Sequence, residues 1–368
     1  MAVRLIDAGT VPCLRSQTVY HALARARTDQ TPDTILLVSP AGPYICIGYH
    51  QELEKEVDIE YCKSNKIPVV RREVGGGTVY LDNDQLFLQW VFRGERLPWR
   101  MERRFEFFAG PLVNTYRAMG IEACFHPVND IHVAGRKIGG MGAAAIGSAE
   151  VMVGSFLFDF DFAVMSRALK VPNEKFRDKA YLSLLEYLTT MKKELGKTPD
   201  RGKVREIYIQ ECEKTLGEPL QDGSFTAEEL EIMENLDTKF ASDSWLDQKG
   251  GLSRAGLKIH SDVWLYETNY KAAGGLIRAT LRVRNNRIDD ISVSGDFAFH
   301  PHSELGQFTK LLLDQQLNYE SLFAIIEKFY NEKGIQTPGV QTADWVEALL
   351  MHKVSTQQGQ ESNVYMAR

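Results

Sequence analysis

The sequence has little cysteine, no long apolar run and no excess of positive charge. Its five cysteines, at 13, 46, 62, 124 and 212, form no Cys-x-x-Cys pair and no zinc spacing. An odd, scattered set of this kind points to reduced thiols in the cytoplasm rather than a disulfide framework. No apolar run is long enough to span a bilayer, and Met1–Asp7 is too short in its apolar part for a signal peptide. The formal net charge of −6 gives no general electrostatic argument for nucleic acid. Repeats and low-complexity tracts are also missing. The expectation is therefore a cytoplasmic protein, probing neither membrane nor nucleic acid. Its 368 residues suffice for a sizeable core and two domains.

Two glycine-bearing stretches organise the chain. In the first, the β-prone run Ile67-Pro68-Val69-Val70 leads through Arg71-Arg72-Glu73-Val74 into Gly75-Gly76-Gly77, followed by Thr78-Val79-Tyr80-Leu81. Strand, glycine loop, strand is the expected order. Three glycines in a row permit positive φ and close approach of a ligand to the main chain, and the arginines suit a carboxylate or phosphate. A glycine-rich turn with solvated arginines is an equal reading of this stretch alone. The second stretch runs from Asn129-Asp130 through Ile131-His132-Val133 to Ala134-Gly135-Arg136-Lys137 and Gly139-Gly140. It predicts a hairpin with Lys137 just past the turn. Such a lysine is ordinarily a solvated residue, and an Asn-Asp pair opening a strand equally caps a turn.

Around these stretches the pattern predicts a strand at 3–6, a helix over Thr18–Arg27, and a hairpin-like pair of strands, Thr34–Val38 and Tyr44–Ile47. A short helix over Asp58–Asn65, a strand over Gln85–Phe92 and an amphipathic helix over Glu106–Met119 follow. Further helices are expected over Phe162–Lys170, Ala180–Leu195 and Lys203–Leu216, and one starting at Thr226, with Glu229 three residues on as a capping box. The polar, glycine-containing Asp247–Gly251 reads as a linker. Beyond it come a hairpin, Gly275–Val283 and Ile288–Val293, and helices over Glu304–Leu313 and Tyr319–Tyr330. The expected division is 1–247, a linker at 248–257, a smaller α+β domain at 258–352 and a polar tail at 353–368. Cys124 reads as a small buried hydrophobe and His126 as structural.

Taken together, Arg71-Arg72 with Gly75-Gly76-Gly77, Asn129-Asp130 followed by Gly135-Arg136-Lys137, and Gly154-Ser155 before an apolar strand resemble the lipoate-protein ligase A family. Gly295-Asp296-Phe297 resembles its accessory domain. The resemblance implies an α/β (α+β) fold: a catalytic domain of the biotin/lipoate ligase type followed by the smaller accessory domain, with the linker near Gly250-Gly251 as a hinge. It implies that ATP and lipoate form lipoyl-adenylate, that Mg²⁺ takes part, and that the lipoyl group passes to a lysine of an acceptor. That acceptor is a glycine-cleavage carrier, an acyltransferase subunit of a 2-oxoacid dehydrogenase or another lipoate-binding protein, and the enzyme is a monomer.

Carried onto this sequence, the resemblance makes Lys137 the catalytic cation. Arg72, Gly77, Thr78, Val79, Tyr80, Asn129 and Asp130 contact the nucleotide, and Asp130 is a candidate to hold the metal through water. Arg72, Gly75, Gly76 and Gly154 join Lys137 around lipoate, though tight hairpin packing explains Gly154 equally well. Some octanoyltransferases of the same fold carry a nucleophilic cysteine before Gly-Arg-Lys, which makes Cys124 the alternative. Four departures from the family pattern bear on acyl preference: Glu73 and Val74 where Arg and a small hydroxyl residue are expected, Val153 in place of His, and Met141-Gly142-Ala143 in place of Ser-Ala.

Overall fold

The computed structural model describes residues 2–172, 174–248 and 263–357. It divides into two compact units, described separately here. The first contains 1–47, 53–74 and 78–246; the second contains Gly48–Glu52, Gly75–Gly77 and the chain from Asp247. Two loops from the N-terminal half thus cluster with the C-terminal unit, a division that chain order alone does not suggest.

The first unit begins with β1 (Val3–Val11), α1 (Arg15–Arg25), β2 (Thr34–Pro40) and β3 (Tyr44–Ile47). Next come α2 (Leu53–Glu56), α3 (Ile59–Ser64), β4 (Val69–Arg71), β5 (Val79–Leu81), β6 (Gln85–Arg93) and α4 (Met101–Ala118). The strands β7 (Ala123–His126), β8 (Asp130–Val133), β9 (Arg136–Ile146) and β10 (Ala149–Leu157) lead to α5 (Phe162–Ala168), α6 (Glu174–Tyr187), α7 (Met191–Leu195) and α8 (Arg201–Leu216). β11 (Leu220–Asp222), α9 (Ala227–Phe240) and α10 (Asp243–Leu246) complete it. An eight-stranded mixed sheet runs in the order β11-β1-β2-β6-β10-β9-β8-β7, and a small sheet in the order β4-β3-β5.

The expected pairing of Thr34–Val38 with Tyr44–Ile47 does not form. β2 lies between β1, which it meets parallel, and β6, which it meets antiparallel, whereas β3 takes β4 and β5 in the small sheet. Both strands are apolar and nearly wholly buried. Each therefore needs neighbours on both edges, and a two-stranded hairpin supplies one. A second correction concerns 180–195, where one helix was expected. The chain instead ends α6 at Tyr187 and restarts at Met191, with Thr190 accepting a hydrogen bond from Lys193 N at 3.2 Å as the new N-cap.

The main core lies between the large sheet and α4 with α8. Trp90, Phe92, Phe108, Leu112, Tyr116 and Phe156 fill it, and Trp90 Nε1 donates to Tyr208 Oη at 2.9 Å. Alternate residues of β2 serve opposite faces: Ile35 and Leu37 join this core, while α1 packs against β2, β6 and β10 elsewhere. α1 is fastened to α9 by Arg15 on Asp237 at 2.5 Å.

The second unit has its own core. β12 (Val263–Ala272), β13 (Gly275–Arg284) and β14 (Arg287–Gly295) form an antiparallel meander, joined by α11 (Leu305–Leu311), α12 (Tyr319–Lys333) and α13 (Thr342–Gln357) around Phe297, Phe308 and Trp345. The Asn285-Asn286 turn between β13 and β14 has φ of 50° and 58°, the two-residue hairpin geometry its sequence signals. α13 carries helix through Gln357, so the tail expected from 353 begins inside it; 358–368 lie outside the described residues. The linker expected at 248–257, with the hinge glycines Gly250 and Gly251, lies outside them too, except for its first residue.

The capping box at α9 forms as its sequence signals. Glu229 N donates to Thr226 Oγ1 at 3.2 Å and Thr226 N to Glu229 Oε2 at 2.8 Å. Thr226→Ala should therefore cost about 1 kcal/mol, read as a fall in the midpoint of urea unfolding. An unchanged midpoint would mean that α9 is held by packing and the Arg4–Glu229 ion pair alone.

Candidate active site

The β8–β9 hairpin supplies the most developed constellation. Ala134 and Gly135 take φ of 47° and 79°, so the turn is of the primed two-residue type and tight. Register then slips: Ile131 faces Gly139 but His132 faces Lys137, leaving Ile138 as an extra residue. Such a bulge re-aims side chains. Ile138 enters the core while the Lys137 side chain leaves it, and its Nζ sits 2.8 Å from Asp130 Oδ1. The ammonium lies across Gly140: a Cβ there would stand 2.9 Å from Nζ and 3.0 Å from Cε. Gly140 was not singled out by sequence, although its place beside Lys137 was the available signal.

Asn129, by contrast, is engaged with the main chain. Its Nδ2 donates to Met141 O at 2.5 Å and its own carbonyl accepts from Met141 N at 2.8 Å, closing the base of the hairpin. Asp130 is shared. Tyr187 Oη donates to its Oδ2 at 3.1 Å, and burial, with the carboxylate's charge second, pushes the phenol up to about 12, so it stays protonated as a donor. His132 Nε2 lies 3.8 Å from the same oxygen, and its ring stacks on His126 at 4.2 Å. Burial above all, with the neighbouring His126 and Lys137, holds the His132 imidazole below its usual range, which favours the neutral form. Cys124 is exposed on β7, opposite His132 in register. The buried hydrophobe reading of this thiol is thereby set aside.

The arginine pair divides its labour. Arg71 is fully buried: its guanidinium donates to Leu246 O at 3.1 and 2.8 Å, and its carbonyl accepts from Trp245 Nε1 at 3.0 Å. It ties α10 to β4. Arg72, half-buried, reaches the Cys46 carbonyl at 3.1 Å. Glu73 turns inward to Arg25 at 2.7 Å and His21 at 3.4 Å. On β5, Val79 is open while Tyr80 is buried against Phe160. Thr78 immediately precedes the strand.

Of the three glycines, Gly76 takes a positive φ of 97°. Within the second unit, the side of Gly75 that a Cβ would occupy is taken by the Phe297 carbonyl at 3.0 Å, and that of Gly77 by Asp296 at 3.7 Å. Close approach is indeed why glycine stands there, but protein main chain fills the space at Gly75. Gly154 is likewise packed, with Phe108 Cε1 3.0 Å from its Cβ position, in line with the tight-packing reading. At Gly142 a Cβ would meet Val74 Cγ1 at 2.6 Å and Val153 Cγ2 at 3.2 Å.

Residues 13–213 match the family model of the lipoyl protein ligase A/B catalytic domain. The chain belongs to this family. Lipoate-protein ligase A subunit 1 of Thermoplasma acidophilum is 30% identical over 212 residues, 55% of this chain and 79% of that protein. Octanoyltransferase LipM of Kyrpidia tusciae is 25% identical over 266 residues, 66% of this chain and 97% of the relative. Among solved structures, the bi-partite lipoate protein ligase of Thermoplasma acidophilum, studied with its E2 lipoyl domain, superposes with a TM-score of 0.62 at 27% identity, covering 67% of this chain and 96% of that one. The resemblance drawn from Arg71–Gly77 and Asn129–Lys137 is thus established at the level of family and fold. The lipoate ligase family holds both ligases and transferases, so the reaction has to be argued from the site.

Gly140→Ala tests the geometry around Lys137. The intruding Cβ meets the flexible end of a side chain, so stability should change by under about 1 kcal/mol, while catalytic turnover falls at least tenfold because the ammonium is displaced. Turnover within twofold of the parent would mean that Lys137 Nζ does not act from this position.

Proposed function

We propose that this protein is an ATP-dependent lipoate-protein ligase. The observation that carries the reading is the Lys137 ammonium, held 2.8 Å from Asp130 on a tight hairpin inside the matched catalytic domain. A carboxylate is a poor acyl donor at neutral pH, so an activating step is required. In that step a lipoate carboxylate oxygen bonds to the α-phosphorus of ATP and the bond to pyrophosphate breaks. In the second, the ε-amine of an acceptor lysine bonds to the acyl carbon, AMP leaves and the amine loses a proton.

Negative charge moves over phosphate and carbonyl oxygens in both steps, and a fixed cation beside those oxygens lowers both barriers. Lys137 is that cation and is not itself acylated. Arg72 adds a second charge on the nucleotide side, where the backbone of Gly77, Thr78, Val79 and Tyr80 contributes contacts. Val74 and Val153 belong with the acyl group, whereas Gly75 and Gly154, packed against Phe297 and Phe108, serve the fold. Asn129 serves by fixing the hairpin that carries Asp130. No group of three metal-ligating side chains occurs among the described residues. One carboxylate, Asp130, beside a nucleotide fits Mg²⁺, which takes most of its ligands from phosphates and water; when bound it would neutralise phosphate charge. The E2 lipoyl domain studied with the Thermoplasma ligase supports a 2-oxoacid dehydrogenase domain as acceptor.

A second reading rests on the exposure of Cys124 and its register opposite His132. There the thiol would take an acyl group as a thioester, without ATP, as a transferase of the LipM kind. The Asn129-Asp130 pair and the second unit favour the ligase.

Lipoate-dependent exchange of pyrophosphate into ATP isolates the first step. The parent should exchange, and Lys137→Ala should lose about 100-fold or more with an unchanged melting temperature. Undiminished exchange in Lys137→Ala would remove this residue from the mechanism.

A further inference from the structure

The break between α6 and α7 brings one short segment, Tyr187–Thr190, onto both ends of Lys137. On the main chain, Leu188 forms a parallel bridge with Lys137, and Thr189 N donates to Lys137 O at 2.8 Å. At the side chain, Tyr187 Oη donates to Asp130 Oδ2 at 3.1 Å, and Asp130 Oδ1 holds Lys137 Nζ at 2.8 Å. The four contacts close a ring: Lys137 backbone, Thr189, Tyr187, Asp130, Lys137 ammonium. The segment itself is anchored, since Thr189 and Thr190 are fully buried and Thr189 Oγ1 and Arg136 Nη2 both bond Glu194.

We propose that Tyr187 is a positioning residue for the activating step, acting through Asp130 to fix the Lys137 ammonium. The proposal rests on the role given to Lys137 above. An aspartate held by a single partner can swing about its terminal torsion, and a lysine paired with it follows. A second hydrogen bond on the other oxygen fixes the carboxylate plane and with it the ammonium. Catalytic groups lose much of their effect when displaced by a fraction of an ångström to one ångström. Tyr187 is 48% exposed and its ring meets His132 edge-on at 6.1 Å, so its hydroxyl adds little to the folded state as such. Removing that hydroxyl should affect rate, not stability.

The test is a double-mutant cycle on pyrophosphate exchange with Tyr187→Phe, Asp130→Asn and the double variant. Tyr187→Phe should lower kcat about tenfold, leave the KM values for ATP and lipoate within about twofold and leave melting unchanged. The double variant should be no slower than Asp130→Asn alone, because the phenol has nothing left to orient. Losses that multiply in the double variant, an undiminished kcat in Tyr187→Phe, or a loss matched by lower melting would each overturn the proposal while exchange by the parent stands. A parent that does not exchange would instead overturn the ligase reading, and this inference with it.

Discussion

Everything at the candidate site turns on where one positive charge is held. A lysine side chain has four rotatable bonds and, on a surface, settles nowhere in particular. Here it is confined by a primed turn, a bulge that sends Ile138 inward, a glycine that leaves room for the chain to cross the strand, and a carboxylate 2.8 Å away. Each of these depends on the others: restore the regular register and Lys137 changes face; add a side chain at 140 and the ammonium moves. The sheet and its core supply the rigid base, since β9 is held between β8 and β10 over the aromatic cluster around Trp90 and Phe156.

The departures from the family pattern make physical sense in pairs. Glu73 inverts an expected charge, but its carboxylate is buried against Arg25 and His21 of α1, so its charge is answered within the fold rather than beside Arg72. Val74, Val153 and the glycine at 142 meet at one place. The bulk added at Val74 occupies the volume that a side chain at 142 would need, with only 2.6 Å between them. These substitutions compensate one another in volume within a packed, apolar contact. They leave the Lys137–Asp130 pair untouched.

Local signals read well where short-range chemistry decides the structure. The two primed-turn hairpins, the capping box at Thr226 and the strand–glycine–strand order all follow from residues within ten positions of one another. The failures are of another kind. β2 and β3 look like a hairpin because a Gly-Pro turn lies between them, yet their burial on both sides forces them into different sheets, which no local pattern reports. The run at 180–195 reads as one helix because nothing in it resembles a breaker. The break arises because backbone groups at 188–189 find a better partner in Lys137, about fifty residues away in sequence. Tyr187 was missed for the same reason: its importance lies in a contact to Asp130, not in its neighbours. Lys137, Asp130 and Arg72 stand out through the family resemblance: taken alone, the lysine reads as solvated and the Asn-Asp pair as a turn cap.

The most direct measurement is intact mass of an apo lipoyl-acceptor domain of the dehydrogenase type after incubation with this protein, free lipoate and Mg²⁺, with and without ATP. The ligase account predicts a lipoyl mass gain that needs ATP and survives Cys124→Ala. No gain from free lipoate, together with an ATP-independent gain from an octanoyl carrier protein that vanishes in Cys124→Ala, would contradict it.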